Sequence, residues 1–329
     1  MNSHPTVMKV LPELMDDEVL DIAGTVTARV GDTDCLPHPV TDSDRLAGQA
    51  VQNFVEPKTG DRIGRFVLQD KLGQGVSCFV FRGWDDQDQL PVAVKIVNWG
   101  NVHDRDAALK QMRTESVALA RVKHPKVLRF IDFGIDPRFP YLITEFLDGR
   151  TLGELTRTGG ALPPNWAVYL TSQVADGLGA VWRGGLVHRD IKPDNVLVGP
   201  NGVAKLIDFG LAKVSSGPAG QGGELAGTAA YLAPEQAKDA RHVDHRADIY
   251  SLGVTFFEAL TGRLPFEAKN RLQMIFQHLN SEPPKPRDIN PEIPGIVSDL
   301  CLWMMKKNPD ERPQNADELR QAFDSIMGM

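Results

Sequence analysis

The sequence predicts an α+β fold in which a small β-rich lobe is followed by a larger, mostly helical lobe. From Gly64 onward, short runs of valine, isoleucine and phenylalanine are separated by glycine and polar turns, as in strands. After Asp104, apolar residues recur at the spacing of one helix, and this spacing dominates from Leu152 to the C-terminus. With 329 residues, 42% of them hydrophobic, the chain is long enough to bury a sizeable core.

The individual elements follow from the same patterns. Strands are predicted within the segments GRFVLQDKLGQG, SCFVFRGWDD and PVAVKIVNW, and two further apolar runs, VLRFIDFGI and YLITEFLD, follow the first helix. Asp104 is a suitable N-cap for the helix that follows it, and His124-Pro125 is expected to end that helix. Loops at 184–195 and 208–235 interrupt the helical part of the chain.

Charge and cysteine content exclude several functional classes. The net charge of −7 argues against a dedicated nucleic-acid-binding protein, which usually carries a basic domain. Cys35, Cys78 and Cys301 are odd in number and far apart, which excludes a disulfide framework and a cysteine zinc cluster. No signal sequence and no apolar run of about 18 residues is present, so we expect a cytoplasmic protein with no membrane anchor.

The acidic charge is concentrated at the start of the chain. The first sixty residues contain ten acidic and four basic side chains. We expect residues 1–62 to form a mostly disordered extension with a short helix near 13–22, and residues 63–329 to form the folded domain, with lobes at 63–146 and 147–329. The extension is either a solubilising tail or a docking or phosphorylated segment, with candidate hydroxyls at Thr25, Thr27, Thr33, Thr41 and Ser43.

Two features of the small lobe suit a phosphate ligand. Gly73 and Gly75 lie in a turn between two strands, where glycine lets the backbone approach a phosphate and offer N–H donors, although such a turn is also typical of a simple hairpin. The third glycine of a G-x-G-x-x-G motif is replaced by Cys78, and Walker A spacing is absent. Lys95, in the apolar run VAVK, needs a partner such as a phosphate or the Glu115 carboxylate, unless its ammonium reaches solvent.

The strongest chemical signal is the segment HRDIKPDN, followed thirteen residues later by Asp208-Phe209-Gly210. Phosphoryl transfer needs a carboxylate for the attacking hydroxyl, oxygen ligands for magnesium, and a cation near the transferred group. Asp190 suits the first task, Asn195 and Asp208 suit the second, and Lys192 suits the third. This combination, in this order with VAVK and the glycine turn, is very improbable by chance.

On these motifs the sequence resembles the eukaryotic-like (Hanks-type) protein kinases, most closely their soluble bacterial branch, from about Arg65 to about Phe323. The resemblance implies the bilobal protein kinase fold, with one main helix in the small lobe. In the large lobe, the segment GTAAYLAPE resembles the part of the family that seats the substrate, and Arg312 is the expected buried partner of Glu235. The lysine two residues after Asp190 and the GTxxYxAPE form favour serine/threonine specificity.

The resemblance also implies roles for individual residues. Lys95, paired with Glu115, would hold the α- and β-phosphates of ATP, Asp190 would be the catalytic base, and Asn195 and Asp208 would bind magnesium, or manganese in its place. The remaining positions that match nucleotide-binding residues of the family are Leu72, Val80, Ala93 and Leu197 around the adenine, Gly73, Gln74 and Gly75 in the glycine loop, Glu145 and Leu147 at the hinge, and Thr144 as gatekeeper.

The predicted activation loop departs from the family pattern. Relatives with an arginine before the catalytic aspartate usually pair it with a phosphothreonine, and here Glu224 occupies that threonine position. We hypothesise that Glu224 replaces the phosphate. The alternatives are that Glu224 is only a solvated loop residue, or that Ser215 or Ser216 is phosphorylated. The regulatory candidates are Arg189, Lys213, Ser215, Ser216, Glu224 and Thr228.

All polar catalytic positions are filled, which favours an active serine/threonine protein kinase acting on protein substrates. The alternatives are a pseudokinase that serves as a scaffold or nucleotide-responsive switch, and a small-molecule kinase of related fold. Regulation would act through residues 1–62, through a partner, or through dimerisation, for which the small lobe is the candidate surface. Asp194 and Glu258 match positions that select basic substrates in some relatives, or are capping or surface carboxylates.

Overall fold

The computed structural model describes residues 55–75, 77–102, 104–136, 138–208, 229–239 and 242–328. They form two compact units. The first contains the described residues up to Ala120 together with Phe130–Phe146, and the second contains Arg121–Arg129 and the described residues from Leu147 onward. The segment Arg121–Arg129 belongs to the second unit because its backbone pairs there: the Leu128 N–H donates to the Leu206 carbonyl at 2.9 Å.

The first unit is built on an antiparallel six-stranded sheet with the spatial order β1-β2-β3-β4-β6-β5. The strands are β1 (Arg62–Ile63), β2 (Phe66–Gln74), β3 (Cys78–Asp85), β4 (Leu90–Val97), β5 (Phe130–Ile135) and β6 (Pro140–Glu145). Helix α1 (Arg105–Arg121) begins after Asp104, whose carboxylate accepts a hydrogen bond from the Ala107 N–H at 2.9 Å. Asp104 is therefore the N-cap that the sequence predicts.

The two faces of this sheet carry different side chains, because successive side chains along a strand point to opposite faces. On β4, Val92, Val94 and Ile96 are fully buried and belong to the hydrophobic core of the unit. Ala93 and Lys95 lie between them and therefore occupy the opposite face. The core thus fixes which face of the sheet carries the lysine.

The second unit is mostly helical and contains a small three-stranded sheet in the order β7-β8-β9. Its strands are β7 (Arg150–Thr151), β8 (Val196–Val198) and β9 (Ala204–Leu206), and its helices are α2 (Leu152–Gly159), α3 (Pro164–Arg183), α4 (Pro234–Lys238), α5 (Arg246–Thr261), α6 (Arg271–Asn280), α7 (Pro286–Ile289), α8 (Gly295–Met304) and α9 (Ala316–Met327). Almost every residue of α5 is buried, and this helix packs against α3 and α8. Within the described part of the chain, no helix has the length and apolar character needed to cross a membrane.

The contact between α5 and α8 is close enough to require glycine at position 253. A Cβ atom there would lie 2.8 Å from the Met305 Cγ and 2.9 Å from the Met304 Cβ. Alanine would improve helix propensity by about 1 kcal/mol. Overpacking a core typically costs about 1–3 kcal/mol, and this second effect should be the larger.

We therefore predict that Gly253→Ala lowers the free energy of unfolding, measured by urea titration, by about 1–2 kcal/mol. Gly159→Ala is the matched control, because a Cβ at this last residue of α2 would meet no atom within 4 Å. The control should leave stability unchanged or slightly raised. An increase in stability for Gly253→Ala would contradict the packing described here.

Candidate active site

The loop that carries the predicted catalytic residues is anchored to α5 by one buried carboxylate. Asp248 is fully buried, and its Oδ1 accepts a hydrogen bond from the Arg189 N–H at 2.8 Å. Its Oδ2 accepts from the His188 N–H at 2.8 Å and from the Trp182 indole N–H at 2.9 Å. Arg189 has a φ of 64°, a strained value for a non-glycine residue, which these hydrogen bonds help to hold.

Three of the predicted catalytic residues are in direct contact within this loop. The Lys192 ammonium lies 3.1 Å from Oδ2 of Asp190. The Asn195 side-chain Nδ2 donates to the same Oδ2 at 3.0 Å and to the Asp190 carbonyl at 2.8 Å. The Asp190 carboxylate is thus oriented from two sides, and Asn195 is left with its amide oxygen directed elsewhere.

Asp208 follows the short hairpin of β8 and β9 and has a φ of 51°. The Asn195 carbonyl accepts a hydrogen bond from the Ile207 N–H at 3.0 Å, which joins the two segments immediately before Asp208. An amide oxygen and a carboxylate are the donor types that magnesium prefers, so Asn195 and Asp208 suit this ion. Within the described ranges, no group of three or more histidine, cysteine or acidic side chains could hold a metal ion.

In the first unit, Lys95 and Glu115 form an ion pair. The Lys95 Nζ lies 2.9 Å from Oε1 and 3.1 Å from Oε2 of Glu115, and the Glu115 side chain is almost fully buried. The lysine comes from β4 and the glutamate from the middle of α1. The pairing expected from the sequence is therefore present, and it leaves the lysine on the sheet face opposite the core.

Other predicted nucleotide-binding residues of this unit share that face. Residues opposite one another in an antiparallel pair project to the same side, and Lys95 is paired with Val80 while Ala93 is paired with Thr144. Gly73 is in turn paired with Val80. Glu145 is the last residue of β6 and is partly buried.

The glycine loop has no structural requirement for its two glycines. A Cβ at Gly73 would meet no atom within 4 Å, and one at Gly75 would meet only the Cys78 carbonyl oxygen at 3.9 Å. Gln74 ends β2, and Leu72 is half exposed. The space beside the two glycines is what an approaching ligand would need.

Two nucleotide-binding candidates lie in the second unit. Leu197 is in the middle of β8, and Leu147 contacts the same sheet region, since its Cδ1 is the nearest atom to a Cβ built at Gly199, at 3.2 Å. Five predicted regulatory residues lie outside the described residues: Lys213, Ser215, Ser216, Glu224 and Thr228. Phe209 and Gly210 also lie outside them. Arg189, the described member of that set, is partly buried.

The segment that resembles a substrate seat is fixed by a buried ion pair. Arg312 is fully buried, and its guanidinium contacts both carboxylate oxygens of Glu235, at 2.6 and 2.8 Å. It also donates to the carbonyls of Arg246, Lys306 and Lys307. The partner expected for Glu235 from the sequence is therefore the one observed.

The two carboxylates considered for substrate selection both have partners within the chain. Oε2 of Glu258 accepts a hydrogen bond from the Tyr231 hydroxyl at 2.5 Å, and burial raises the pKa of Glu258. Asp194 lies 2.8 Å from the Arg157 guanidinium, and both side chains are about half exposed. The hypothesis of a preference for basic substrates therefore stays a prediction.

His278 was not predicted from the sequence, yet it holds the same segment. Its Nε2 lies 2.9 Å from the Ala230 carbonyl, so this nitrogen carries the proton. Its Nδ1 therefore accepts from the Tyr250 hydroxyl, at 2.9 Å, and the Lys307 ammonium lies 3.3 Å from that hydroxyl. Burial, and then the charge of Lys307, lower the pKa of His278 from 6.5 to about 4. A lone histidine on a helix gives no sequence signal of this role.

Each unit carries residue types that phosphoryl-transfer enzymes use: the first has a lysine–glutamate pair, and the second has a loop with aspartate, lysine and asparagine. The chain belongs to the protein kinase family: the model of the protein kinase domain matches residues 66–323. The kinase domain of Mycobacterium tuberculosis PknI superposes with a TM-score of 0.64 at 22% identity, over 82% of this chain and 99% of that one. The predicted α+β protein kinase fold is thereby confirmed.

Bacterial relatives are similar over most of this chain. PknL, a serine/threonine-protein kinase of M. tuberculosis, is 36% identical over 80% of this chain and 65% of its own length. PksC, a serine/threonine-protein kinase of Streptomyces coelicolor, is 37% identical over 78% of this chain and 48% of its own length. The chain thus spans between about half and two thirds of the length of these relatives. The predicted resemblance to bacterial serine/threonine kinases is confirmed.

We predict a pH-dependent loss of stability that depends on His278. The folded state keeps this histidine neutral, whereas the unfolded chain binds a proton below pH 6.5, so stability falls as pH decreases from 6.5 toward 4. Between pH 6.5 and 5 this contributes up to about 2 kcal/mol.

Urea unfolding at pH 7 and pH 5 tests this prediction with His278→Gln beside the unmodified chain. The variant should lose less stability on acidification. Burial also lowers the pKa of His188, but this group is common to both proteins and cancels in the difference. Equal losses in the two proteins would show that His278 is not the group responsible.

Proposed function

We propose that this chain is a serine/threonine protein kinase that transfers the γ-phosphoryl group of ATP to hydroxyl groups of proteins. The observation that carries the proposal is the Asp190 carboxylate, which contacts both Lys192 and Asn195. The naming of PknL and PksC as serine/threonine-protein kinases supports a hydroxyl acceptor. Cytoplasmic location and dimerisation through the small lobe stay predictions from the sequence.

The contacts within the loop suggest how the residues divide the task. The Asp190 carboxylate orients the acceptor hydroxyl and takes its proton as the oxygen attacks phosphorus and the bond to the ADP oxygen breaks. Lys192 lies 3.1 Å from this carboxylate and offsets negative charge on the transferred group. Asn195 fixes the carboxylate through its Nδ2, which limits the rotation of Asp190.

The residues present suit ATP with magnesium. When bound, this complex supplies the phosphoryl group and the charge neutralisation that its transfer needs. The Asn195 amide oxygen and the Asp208 carboxylate would hold the ion, because the amide nitrogen is already used by Asp190. Lys95, positioned by Glu115 at 2.9 Å, would hold the α- and β-phosphates.

Radiolabelled ATP with magnesium tests the proposal on the purified chain. We predict that label enters protein, and that Asp190→Asn and Lys95→Met each reduce incorporation by at least about 100-fold. Matched controls are Asp317→Asn, whose side chain is 80% exposed, and Lys110→Met on the exposed surface of α1. Both controls should retain the activity of the unmodified chain.

The outcomes distinguish the alternatives. Label transferred to sugars or other small molecules, and not to protein, would contradict the proposed substrate class. ATP binding without any transfer would contradict catalysis and favour a pseudokinase. Peptide mapping of a labelled chain would show whether the extension or the pair Ser215 and Ser216 is the site of self-phosphorylation.

We also propose that Glu224 replaces an activating phosphate by neutralising Arg189 and Lys213. A carboxylate carries one negative charge, against about 1.5 to 2 for a phosphate. In unphosphorylated protein, Glu224→Ala should therefore reduce incorporation, whereas Glu224→Asp should retain part of it. Mass spectrometry would verify the absence of phosphate, and unchanged activity in Glu224→Ala would refute this substitution hypothesis.

A further inference from the structure

The strand that leads into the glycine loop is irregular. β2 is paired with β3 at Leu68, Lys71 and Gly73, but the register shifts between Leu68 and Lys71 and again between Lys71 and Gly73. At each shift an extra residue of the strand stays unpaired and the ladder of backbone hydrogen bonds is disrupted. Contacts other than backbone pairing therefore have a larger share in fixing this part of β2.

The chain immediately before β1 supplies such contacts. We call residues 55–61 the strap. The Gly60 N–H of the strap donates a hydrogen bond to the Leu68 carbonyl at 2.8 Å. The Thr59 hydroxyl donates to the carbonyl of Gln69, which lies within the first register shift. The strap is thus attached to β2 at the point where regular pairing of β2 with β3 stops.

Lys71 joins the strap to the glycine loop. Its ammonium lies 2.8 Å from Oε1 of Glu56 and donates a hydrogen bond to the side-chain oxygen of Gln74 at 2.7 Å. It also lies 4.7 Å from the ring centroid of the buried Phe79, a favourable cation–π contact. Pro57, the neighbour of Glu56, is buried, which fixes the backbone that carries the glutamate. A row of contacts therefore runs from the strap through Lys71 to the last residue of β2.

This row of contacts lies on the sheet face away from the predicted nucleotide-binding residues. Lys71 is paired with Phe81, a member of the hydrophobic core, and paired residues project to the same side of a sheet. The next residue of β3, Val80, projects to the other side and is paired with Lys95. A contact on the face of Lys71 thus reaches a nucleotide through the position of the glycine loop, and not by touching the ligand.

On the basis of the ATP-binding function proposed above, we propose that Glu56 is a positioning residue for the nucleotide: through Lys71 it holds the glycine loop where its backbone can bind phosphate. Gly73 and Gly75 have open space around them, so the loop gains little order from packing of its own. A binding loop that is ordered beforehand binds more tightly, because the ligand does not have to immobilise it. The strap therefore contributes to nucleotide affinity without contacting the nucleotide.

Calorimetric titration of the purified chain with a non-hydrolysable ATP analogue and magnesium tests the proposal. Glu56→Gln keeps the size of the side chain but removes the ion pair, in which Glu56 is 50% exposed and Lys71 is 36% exposed. Ion pairs of this exposure have modest effects, so we expect about two- to fivefold weaker binding. Loss of a negative charge would by itself favour an anionic ligand, so weaker binding reports the position of the loop. Unchanged or tighter binding would overturn the proposal.

Three further variants separate the contact from a general change of charge. Asp86→Asn is the matched control, because it makes the same change of charge and breaks the partly exposed Arg62–Asp86 pair at the opposite end of β3. It should not weaken binding. Lys71→Arg keeps the cation and should retain most of the affinity, whereas Lys71→Met should lose at least as much as Glu56→Gln. Because the glutamate acts through the lysine, Glu56→Gln should have no further effect in a chain that carries Lys71→Met, and an additional loss there would refute the mechanism.

Hydrogen exchange of the nucleotide-free chain, measured by mass spectrometry, tests the contact independently of ATP binding. In Glu56→Gln, the amides of residues 69–75 should exchange about two- to fivefold faster, because the loop opens more often. In Asp86→Asn they should exchange at the rate of the unmodified chain. Equal rates in Glu56→Gln and the unmodified chain would overturn the proposal. Faster exchange in Glu56→Gln, together with an unmodified chain that does not bind the ATP analogue, would support the role of Glu56 in holding the loop and contradict the proposed kinase function instead.

Discussion

The buried carboxylate of Asp248 is the constraint on which the rest of the site depends. It accepts hydrogen bonds from three N–H groups, two of them from the backbone of His188 and Arg189, immediately before Asp190, the predicted catalytic aspartate. These hydrogen bonds tie the loop to α5, in which almost every residue is buried. A loop held in this way has little freedom to move the Asp190 carboxylate, so its alignment with Lys192 and Asn195 is set before a ligand arrives.

Each unit contains a charged side chain that is compensated by an ion pair, although different elements supply the two partners. In the first, a glutamate from a helix meets a lysine from a strand, with two contacts near 3 Å. In the second, Arg312 is satisfied by Glu235 and by three backbone carbonyls. Each charge is compensated by a fixed partner, and truncating one partner of such a pair would typically cost about 3–5 kcal/mol.

The sequence predicted best what is local in the chain. Asp190, Lys192 and Asn195 lie within six residues, so their types and spacing already indicate a common task. The strands were predictable because apolar side chains alternate along them. The anchoring of the loop by Asp248 and the contact of His278 with Ala230 were not predicted, since they join positions about fifty to sixty residues apart that no local pattern connects. The Glu235–Arg312 pair is also distant in the chain, and it was expected only from the resemblance to a family. The allocation of Arg121–Arg129 to the second unit likewise follows from backbone pairing with Leu206.

The alternation of buried and less buried side chains along β4 limits insertions and deletions in this strand. Val80, Lys95 and Leu142 lie opposite one another across three paired strands, so the register is fixed on both sides of β4. Insertion or deletion of a single codon within this strand would exchange its faces, placing the ammonium in the hydrocarbon core and a valine beside Glu115. A change of length is tolerated more easily in the turn at Asp86–Gln89, which lies outside the strands and between the glycine loop and Lys95.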